Sequence, residues 1–318
     1  MSKWMRRFSL VVSVFTMLAF LAGCGGAKEE PAAAPASTQT ETKASTAPAT
    51  PAPAPVDKAA VLKDTAVAYF GNLPANSNMI DVADFKKKLD AKETGYVLVD
   101  VRSAEDFAKG AVEGAVNIPM GKLGAELDKL PRDKQIIVNC YSGQTSGQAV
   151  AVLRMAGFNA ISLKGGFPSF AKAEIPTPVP TAAATLPAAT PAKLDEKQTI
   201  VKDAAVSYFS NLPANSNMIA PADVKKKVDA GETGFVILDI RKAEDFANGH
   251  IEGSINIPMG QVGAKLDTLP KDKQIIVACY SGQTSGQTVA VLRMAGYNAI
   301  SFKGGFPAAE PAGFAIVK

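Results

Sequence analysis

One seven-residue segment occurs twice in this chain: Cys140-Tyr141-Ser142-Gly143-Gln144-Thr145-Ser146, and again as Cys279-Tyr280-Ser281-Gly282-Gln283-Thr284-Ser285. Each copy follows a short apolar run, Gln135 to Val138 or Gln274 to Val277, and leads into a helix-like stretch. A cysteine at the end of a strand, under a turn of small residues that opens a helix, has backbone N–H groups aimed at its sulfur. That nest and the positive end of the helix favour thiolate over thiol. The thiolate is the reactive form of cysteine, so both segments have the setting of a nucleophile. Tyr141 to Ser146 and Tyr280 to Ser285 form the surrounding loop, with Gln144, Thr145 and their counterparts either donating into the pocket or closing the turn. A cysteine phosphatase loop needs an arginine six positions after the cysteine to grip an oxyanion in bidentate fashion. Ser146 and Ser285 stand there instead. A Cys–His protease pair is excluded for the first copy, since the single histidine, His250, lies in the second. A dithiol redox site is disfavoured because there is no C-x-x-C pair.

The surrounding pattern alternates strands and helices. In the first copy it predicts helices over 57–70 and 82–89, the latter capped by Asp81, and a buried strand at Tyr96 to Asp100. A short helix follows at Ala104 to Phe107, a brief strand at Val116 to Ile118 and a helix at Leu123 to Leu130. The central strand is Gln135 to Val138, with a helix at Gly147 to Met155 and a last strand at Ala160 to Ser162. Such alternation predicts a mainly parallel sheet covered by helices on both faces, with ligands beyond the carboxyl ends of the strands. Both cysteines fall there. Asp100, Arg102, Asp239 and Arg241 sit at the end of a neighbouring strand. The arginines are read as structural partners of nearby carboxylates, and the aspartates as braces for the loops.

A shift of 139 residues carries Cys140 onto Cys279 and most of the first half onto the second without a gap. Many differences, such as Val116/Ile255 and Tyr96/Phe235, keep an apolar core filled. The expected organisation is a signal at 1–23, an Ala/Pro/Thr-rich tether at 24–56, a first domain at 57–172, a Pro/Ala-rich linker at 173–192 and a second domain at 193–318. Tether and linker lack the apolar residues needed to offset ordering entropy. They are expected to be solvated and extended, leaving two independent globules. At the N-terminus, Lys3, Arg6 and Arg7 precede the apolar stretch Phe8 to Leu21, which has the flanks of an export signal. Leu21-Ala22-Gly23-Cys24 resembles a bacterial lipobox, which implies cleavage before Cys24, acylation there with chains such as palmitate, and an exported, membrane-anchored protein. Removing Lys3, Arg6 and Arg7 from the formal charge of +4 leaves +1, and no electrostatic case for nucleic acid survives.

Several motifs in order resemble the rhodanese (sulfurtransferase) family. In the second copy these are Asp239-Ile240-Arg241, Glu244-Asp245-Phe246 and His250 to Pro258. The Cys279 loop, Leu292-Arg293 with Gly296-Tyr297, and Lys303-Gly304-Gly305 follow. The first copy repeats the series, with Ala111 where the second has His250. The resemblance covers Met79 to Gly166 and Met218 to Gly305. It implies two tandem rhodanese-like α/β domains with Cys140 and Cys279 as catalytic nucleophiles. Each would take sulfane sulfur from a small donor such as thiosulfate or polysulfide, hold it as a persulfide, and pass it to a thiol or cyanide. No cofactor or metal is implied. The alternative is a non-catalytic persulfide carrier or partner-binding module. The loop carries no Arg or Lys for an anionic donor. An aromatic shortly after Gly-Gly is present as Phe170 in the first copy and not evident in the second.

Overall fold

The computed structural model describes residues 55–182 and 184–318. The signal, Cys24 and almost all of the tether therefore lie outside the described residues. Among the described residues, no helix is long and apolar enough to cross a membrane. In the first copy the chain forms α1 (Lys58–Gly71), β1 (Met79–Ile80), α2 (Val82–Asp90), β2 (Tyr96–Asp100), α3 (Ala104–Ala108) and β3 (Val116–Asn117). It continues through α4 (Leu123–Glu126), β4 (Gln135–Asn139), α5 (Gln144–Met155), β5 (Ala160–Leu163) and α6 (Pro168–Lys172). The second copy repeats the order as α7 (Glu196–Ser210), β6 (Met218–Ile219), α8 (Pro221–Asp229), β7 (Phe235–Asp239), α9 (Ala243–Ala247) and β8 (His250–Ile251). It ends with β9 (Ile255–Asn256), β10 (Gln274–Ala278), α10 (Gln283–Met294), β11 (Ala299–Phe302) and β12 (Ile316–Val317).

Each copy has a five-stranded, wholly parallel sheet, in the order β1-β5-β4-β2-β3 and β6-β11-β10-β7-β9. The central strands β4 and β10 read as continuous apolar runs because they are covered on both faces. Register pairs Asp100 with Asn139 and Asp239 with Ala278, so the aspartates end their strands beside the cysteines. Asp57 caps α1 by accepting from the backbone of Ala59 and Ala60, and Asp195 closes a full capping box with Gln198 on α7. Asp81 occupies the cap position of α2, but its carboxylate pairs with Lys164 and makes no cap bond. The helix expected over 123–130 is broken into α4 flanked by 3₁₀ turns at Met120–Lys122 and Leu127–Lys129.

Two independent globules were expected, and the structure overturns that. One buried apolar cluster takes in residues of both copies, from Val61 and Phe70 through Val152 to Val262, Leu266 and Val291. The N-terminal helices are exchanged: α1 lies on the 3₁₀ segments at Met259–Gln261 and Gly263–Thr268 of the second copy, while α7 lies on α4 of the first. A side chain at Gly124 would meet the Val206 carbonyl at 3.0 Å, and one at Gly263 would meet the Val67 carbonyl at 3.0 Å. Helices α5 and α10 pack face to face. A Cβ on Gly147 would sit 2.4 Å from the Gln283 carbonyl, and one on Gly286 would sit 2.4 Å from that of Gln144, so the two backbones touch where they cross. The exchanged helices also tie in polar groups. The Tyr69 hydroxyl donates to Gln287 Oε1 (2.6 Å) and that of Tyr208 to Gln148 Oε1 (2.6 Å). Burial pushes both phenols well above their ordinary titration range.

The linker is not fully solvated either. Ile175 is buried, the Ala111 N–H donates to the Pro178 carbonyl (3.0 Å), and Ala184 and Leu186 pack against the shared core. Proline-rich chain can lie down this way because it needs few backbone partners of its own. Val56, at the end of the expected tether, also packs there.

Candidate active site

Cys140 directly follows β4 and Cys279 directly follows β10; both are free thiols, and both are buried. The chain then turns through Gly143, whose φ of +95° is natural only for glycine, and enters α5; Gly282, at +96°, does the same before α10. Helix α5 begins at Gln144, three residues earlier than the expected Gly147. Gln144, Thr145 and Ser146 are thus its first turn rather than loop. Their N–H groups are those an α-helix leaves without internal partners.

In the first copy the Gly143 N–H donates to Cys140 Sγ (3.1 Å), and Ser146 Oγ lies 3.2 Å from that sulfur. In the second, two N–H groups reach the sulfur, from Gly282 (3.1 Å) and Ser285 (3.2 Å). The back of the loop is closed by the strand-end glycines. A side chain on Gly166 would come within 2.6 Å of the Cys140 carbonyl and the Ser142 nitrogen, and Gly305 faces the same restriction at Cys279 and Ser281. The following residue clamps the loop, as the Phe167 N–H donates to the Cys140 carbonyl (2.7 Å) and that of Phe306 to Cys279 (2.6 Å).

Asp100 and Arg102 form a buried bidentate pair, with Nη2 to Oδ2 at 2.7 Å, and Asp239 and Arg241 do the same at 2.7 Å. Each arginine also donates to a backbone carbonyl, of Gly110 or Gly249, at 2.8 Å. Each carries a phenyl ring on its guanidinium, Phe167 or Phe306, at 3.6 Å. In the first copy Asn139, beside the cysteine, donates to Asp100 Oδ2 (3.0 Å). These four charged residues are spent on one another and on the loop frame, the role expected for them. Tyr141 is the exposed outer wall. Its hydroxyl donates to Asp106 (2.6 Å) and accepts from the Ser103 N–H (3.2 Å). Tyr280 makes the matching bond to Asp245. Ser142 and Ser281 are exposed beside it, whereas Thr145 and Thr284 are half-buried.

Gln144 and Gln283 do not point into their own pockets. Each crosses to the other copy, and there meets Ser301 or Ser162, residues that sequence reasoning missed. The only signal for those serines was a polar residue interrupting an otherwise apolar last strand. His250 stacks on Phe246 at 3.8 Å between ring centroids and bonds the Phe246 carbonyl through Nδ1, a packing role. The missing second-copy aromatic is supplied from further along the chain: Phe314 packs against Phe302.

The rhodanese-like domain family matches residues 81–173 and 220–310, and the chain belongs to that family. It is 36% identical over 87 residues to the putative sulfurtransferase YtwF of Bacillus subtilis, covering 27% of this chain and 84% of that protein. It is 30% identical over 104 residues to a sulfurtransferase of Allochromatium vinosum, covering 32% of this chain and 96% of that one. A rhodanese-like domain protein from Staphylococcus aureus, known as a crystal structure, is 27% identical with a TM-score of 0.29, covering 32% of this chain and 98% of its own.

Proposed function

We propose that the protein is a sulfurtransferase working through persulfides on Cys140 and Cys279. The observation that carries this reading is a cysteine sulfur held by helix-start N–H groups at the carboxyl end of the central strand, in both copies. An anionic sulfur is stabilised there whether it is a thiolate or the terminal sulfur of a persulfide. The thiolate attacks the outer sulfur of a donor such as thiosulfate. A new S–S bond forms on cysteine, the donor S–S bond breaks, and sulfite departs with the electron pair. An acceptor such as cyanide or a thiolate then attacks the outer persulfide sulfur, which leaves as thiocyanate or a new persulfide and restores the cysteine thiolate. Membership of the rhodanese-like family and likeness to proteins named sulfurtransferases support this chemistry. The burial of both sulfurs favours a second reading, a persulfide carrier that releases sulfur only when the loop opens.

The test is mass spectrometry after separate incubation with thiosulfate, polysulfide and mercaptopyruvate, followed by turnover with cyanide and with thiols. Each cysteine should gain one sulfur, and the Cys140→Ser, Cys279→Ser double variant should be inactive. Normal activity in that variant would refute cysteine-based transfer; loading without turnover would select the carrier. Export and acylation at Cys24 are proposed on the basic head, apolar stretch and lipobox-like residues. Paired acyl chains give stable membrane attachment. A processed Cys24→Ala chain that still fractionates with membranes would overturn the anchor.

A further inference from the structure

Each loop glutamine is placed to serve the other copy's cysteine. Gln283 opens α10, one residue past the turn that holds Cys279, yet its side chain runs across the α5–α10 crossing. There Nε2 donates to Ser162 Oγ (2.6 Å) and to the Leu163 carbonyl (3.0 Å). Ser162 Oγ is 2.8 Å from Ser146 Oγ, which is 3.2 Å from Cys140 Sγ. The mirror path runs from Gln144 Nε2 to Ser301 Oγ (2.6 Å) and on to Ser285 Oγ (2.8 Å), the residue whose N–H holds Cys279. Every side chain on both paths is buried. The space for the crossing is left by glycine: a Cβ at Gly143 would lie 2.6 Å from Gln283 Oε1, and one at Gly282 would lie 2.7 Å from Gln144 Oε1.

The direction of the bonds is fixed at the glutamine end. The Leu163 carbonyl can only accept, so the amide presents its NH₂ group to both partners. Ser162 Oγ accepts that hydrogen, leaving its own for Ser146. Ser146, already accepting from Ser162, keeps its hydrogen for the Gly143 carbonyl (3.0 Å) or, once the sulfur is anionic, for Cys140. A chain of donors pointing one way polarises each successive bond and stabilises an anion at its end.

We infer that Gln283 is a positioning residue for Cys140 and Gln144 one for Cys279, so that each sulfur site is completed by the other copy. This rests on the two cysteines being nucleophiles. Alkylation reads thiol reactivity whether or not sulfur is transferred, and so the two readings fail separately. The full chain is treated with iodoacetamide at one fixed pH, and the rate at each cysteine is followed by peptide mass spectrometry. Gln283→Met should slow Cys140 by about three- to tenfold, the effect of one neutral donor lost at the head of the chain and felt through two hydroxyls, and leave Cys279 within about twofold. Gln144→Met should do the reverse. Ser162→Ala should slow Cys140 alone, and joined to Gln283→Met it should slow it no further, since both cut the same chain. Should Gln283→Met fail to fold, Gln283→Asn keeps a polar group but falls short of Ser162, and the same slowing of Cys140 is expected. A loss confined to the glutamine's own loop, a loss at neither cysteine, or additive losses in the double variant would overturn the assignment.

Discussion

The two copies carry the same sulfur loop on frames that have diverged around it. From Cys140 to Gln148 and from Cys279 to Gln287 no residue differs, whereas the positions beneath and beside the loop do. One end of the first core is filled by Phe85, Phe170 and Ile175; the matching positions of the second hold Val224, Ala309 and Phe314. Bulk lost at two positions returns at the third, as close packing demands. The closing segment differs too. The first copy is capped by the linker, through Ala111 and Pro178, while the second forms a small antiparallel sheet, β8 with β12, around His250. Divergence is tolerated where a core can be refilled or an edge covered in another way. Four side-chain hydrogen bonds that cross between copies show no such divergence and are made in matching pairs: Tyr69 with Gln287 and Tyr208 with Gln148, Gln283 with Ser162 and Gln144 with Ser301.

The largest effect should come from separating the copies. Removing the second copy strips the partners from the buried face of α1, with Val61 and Phe70, and deletes α7, with Ile200, Val201 and Phe209, from the first. Full burial of such a side chain is worth about 1.5–3 kcal/mol. Five together, at about 10 kcal/mol, match the whole stability of an ordinary domain. Either half expressed alone should be unfolded or aggregated. A chain cut within the exposed stretch Thr190 to Lys193 should stay one particle and melt in one transition, read by size exclusion and calorimetry. Two separately folded fragments would restore the picture of independent domains.

Much of this was legible and some was not, for identifiable reasons. Continuous apolar runs located β2 and β4, and small residues after Cys140 located the turn, because those signals are local. The start of α5 lies earlier than the pattern suggests, since Thr145 and Ser146 are weak helix formers directly after the Gly143 turn. The exchange of α1 and α7 was hidden by the duplication itself. Copies this alike present equivalent surfaces to either helix, so no residue pattern distinguishes docking on the own copy from docking on the other. The linker was misread because composition reports how little core a segment can build, not what it can lie against. Of the residues read as loop, Gln144, Thr145 and Ser146 open α5 instead, and the reach of Gln144 and Gln283 depends on that same hidden pairing.

A smaller effect should follow from one difference at the α5–α10 level. Ala149 of the first copy corresponds to Thr288 in the second, where the hydroxyl is fully buried and has no hydrogen-bond partner. Thr288→Val keeps the shape and replaces the hydroxyl by a methyl, and should stabilise the protein by about 1–2 kcal/mol. Ala149→Thr should lower stability by a similar amount, since it adds both bulk and an unpaired hydroxyl. Denaturant melts of the two variants give the test; a destabilised Thr288→Val would mean that the hydroxyl is satisfied in solution.

The smallest effect is expected at the outer wall of the loop, where the copies differ at two positions, Ser103 against Lys242 and Lys109 against Asn248. The Lys109 ammonium first, and the Tyr141 hydroxyl second, hold the Asp106 carboxyl down from an ordinary 3.8 to about 2. The corresponding residue beside Asp245 is Asn248, which brings no charge. There Tyr280 is the anchor, its phenol raised by burial and then by the bond to Asp245, so it remains a donor through neutral pH. A carboxyl with a depressed value contributes fully above its ordinary range and loses that contribution as pH falls through the depressed value. The Asp106–Tyr141 anchor should therefore be unaffected between pH 5 and 8 and release only between about 4 and 2. Lys109→Asn should move the Asp106 titration upward within that window, towards 3.8, and leave the alkylation rate of Cys140 at neutral pH unchanged, since exposed ion pairs contribute little and are screened by salt. Carboxyl-carbon NMR across the acid range reads the shift directly. A titration unmoved by the substitution would assign the depression to Tyr141 instead, and Tyr141→Phe should then move it while Lys109→Asn does not.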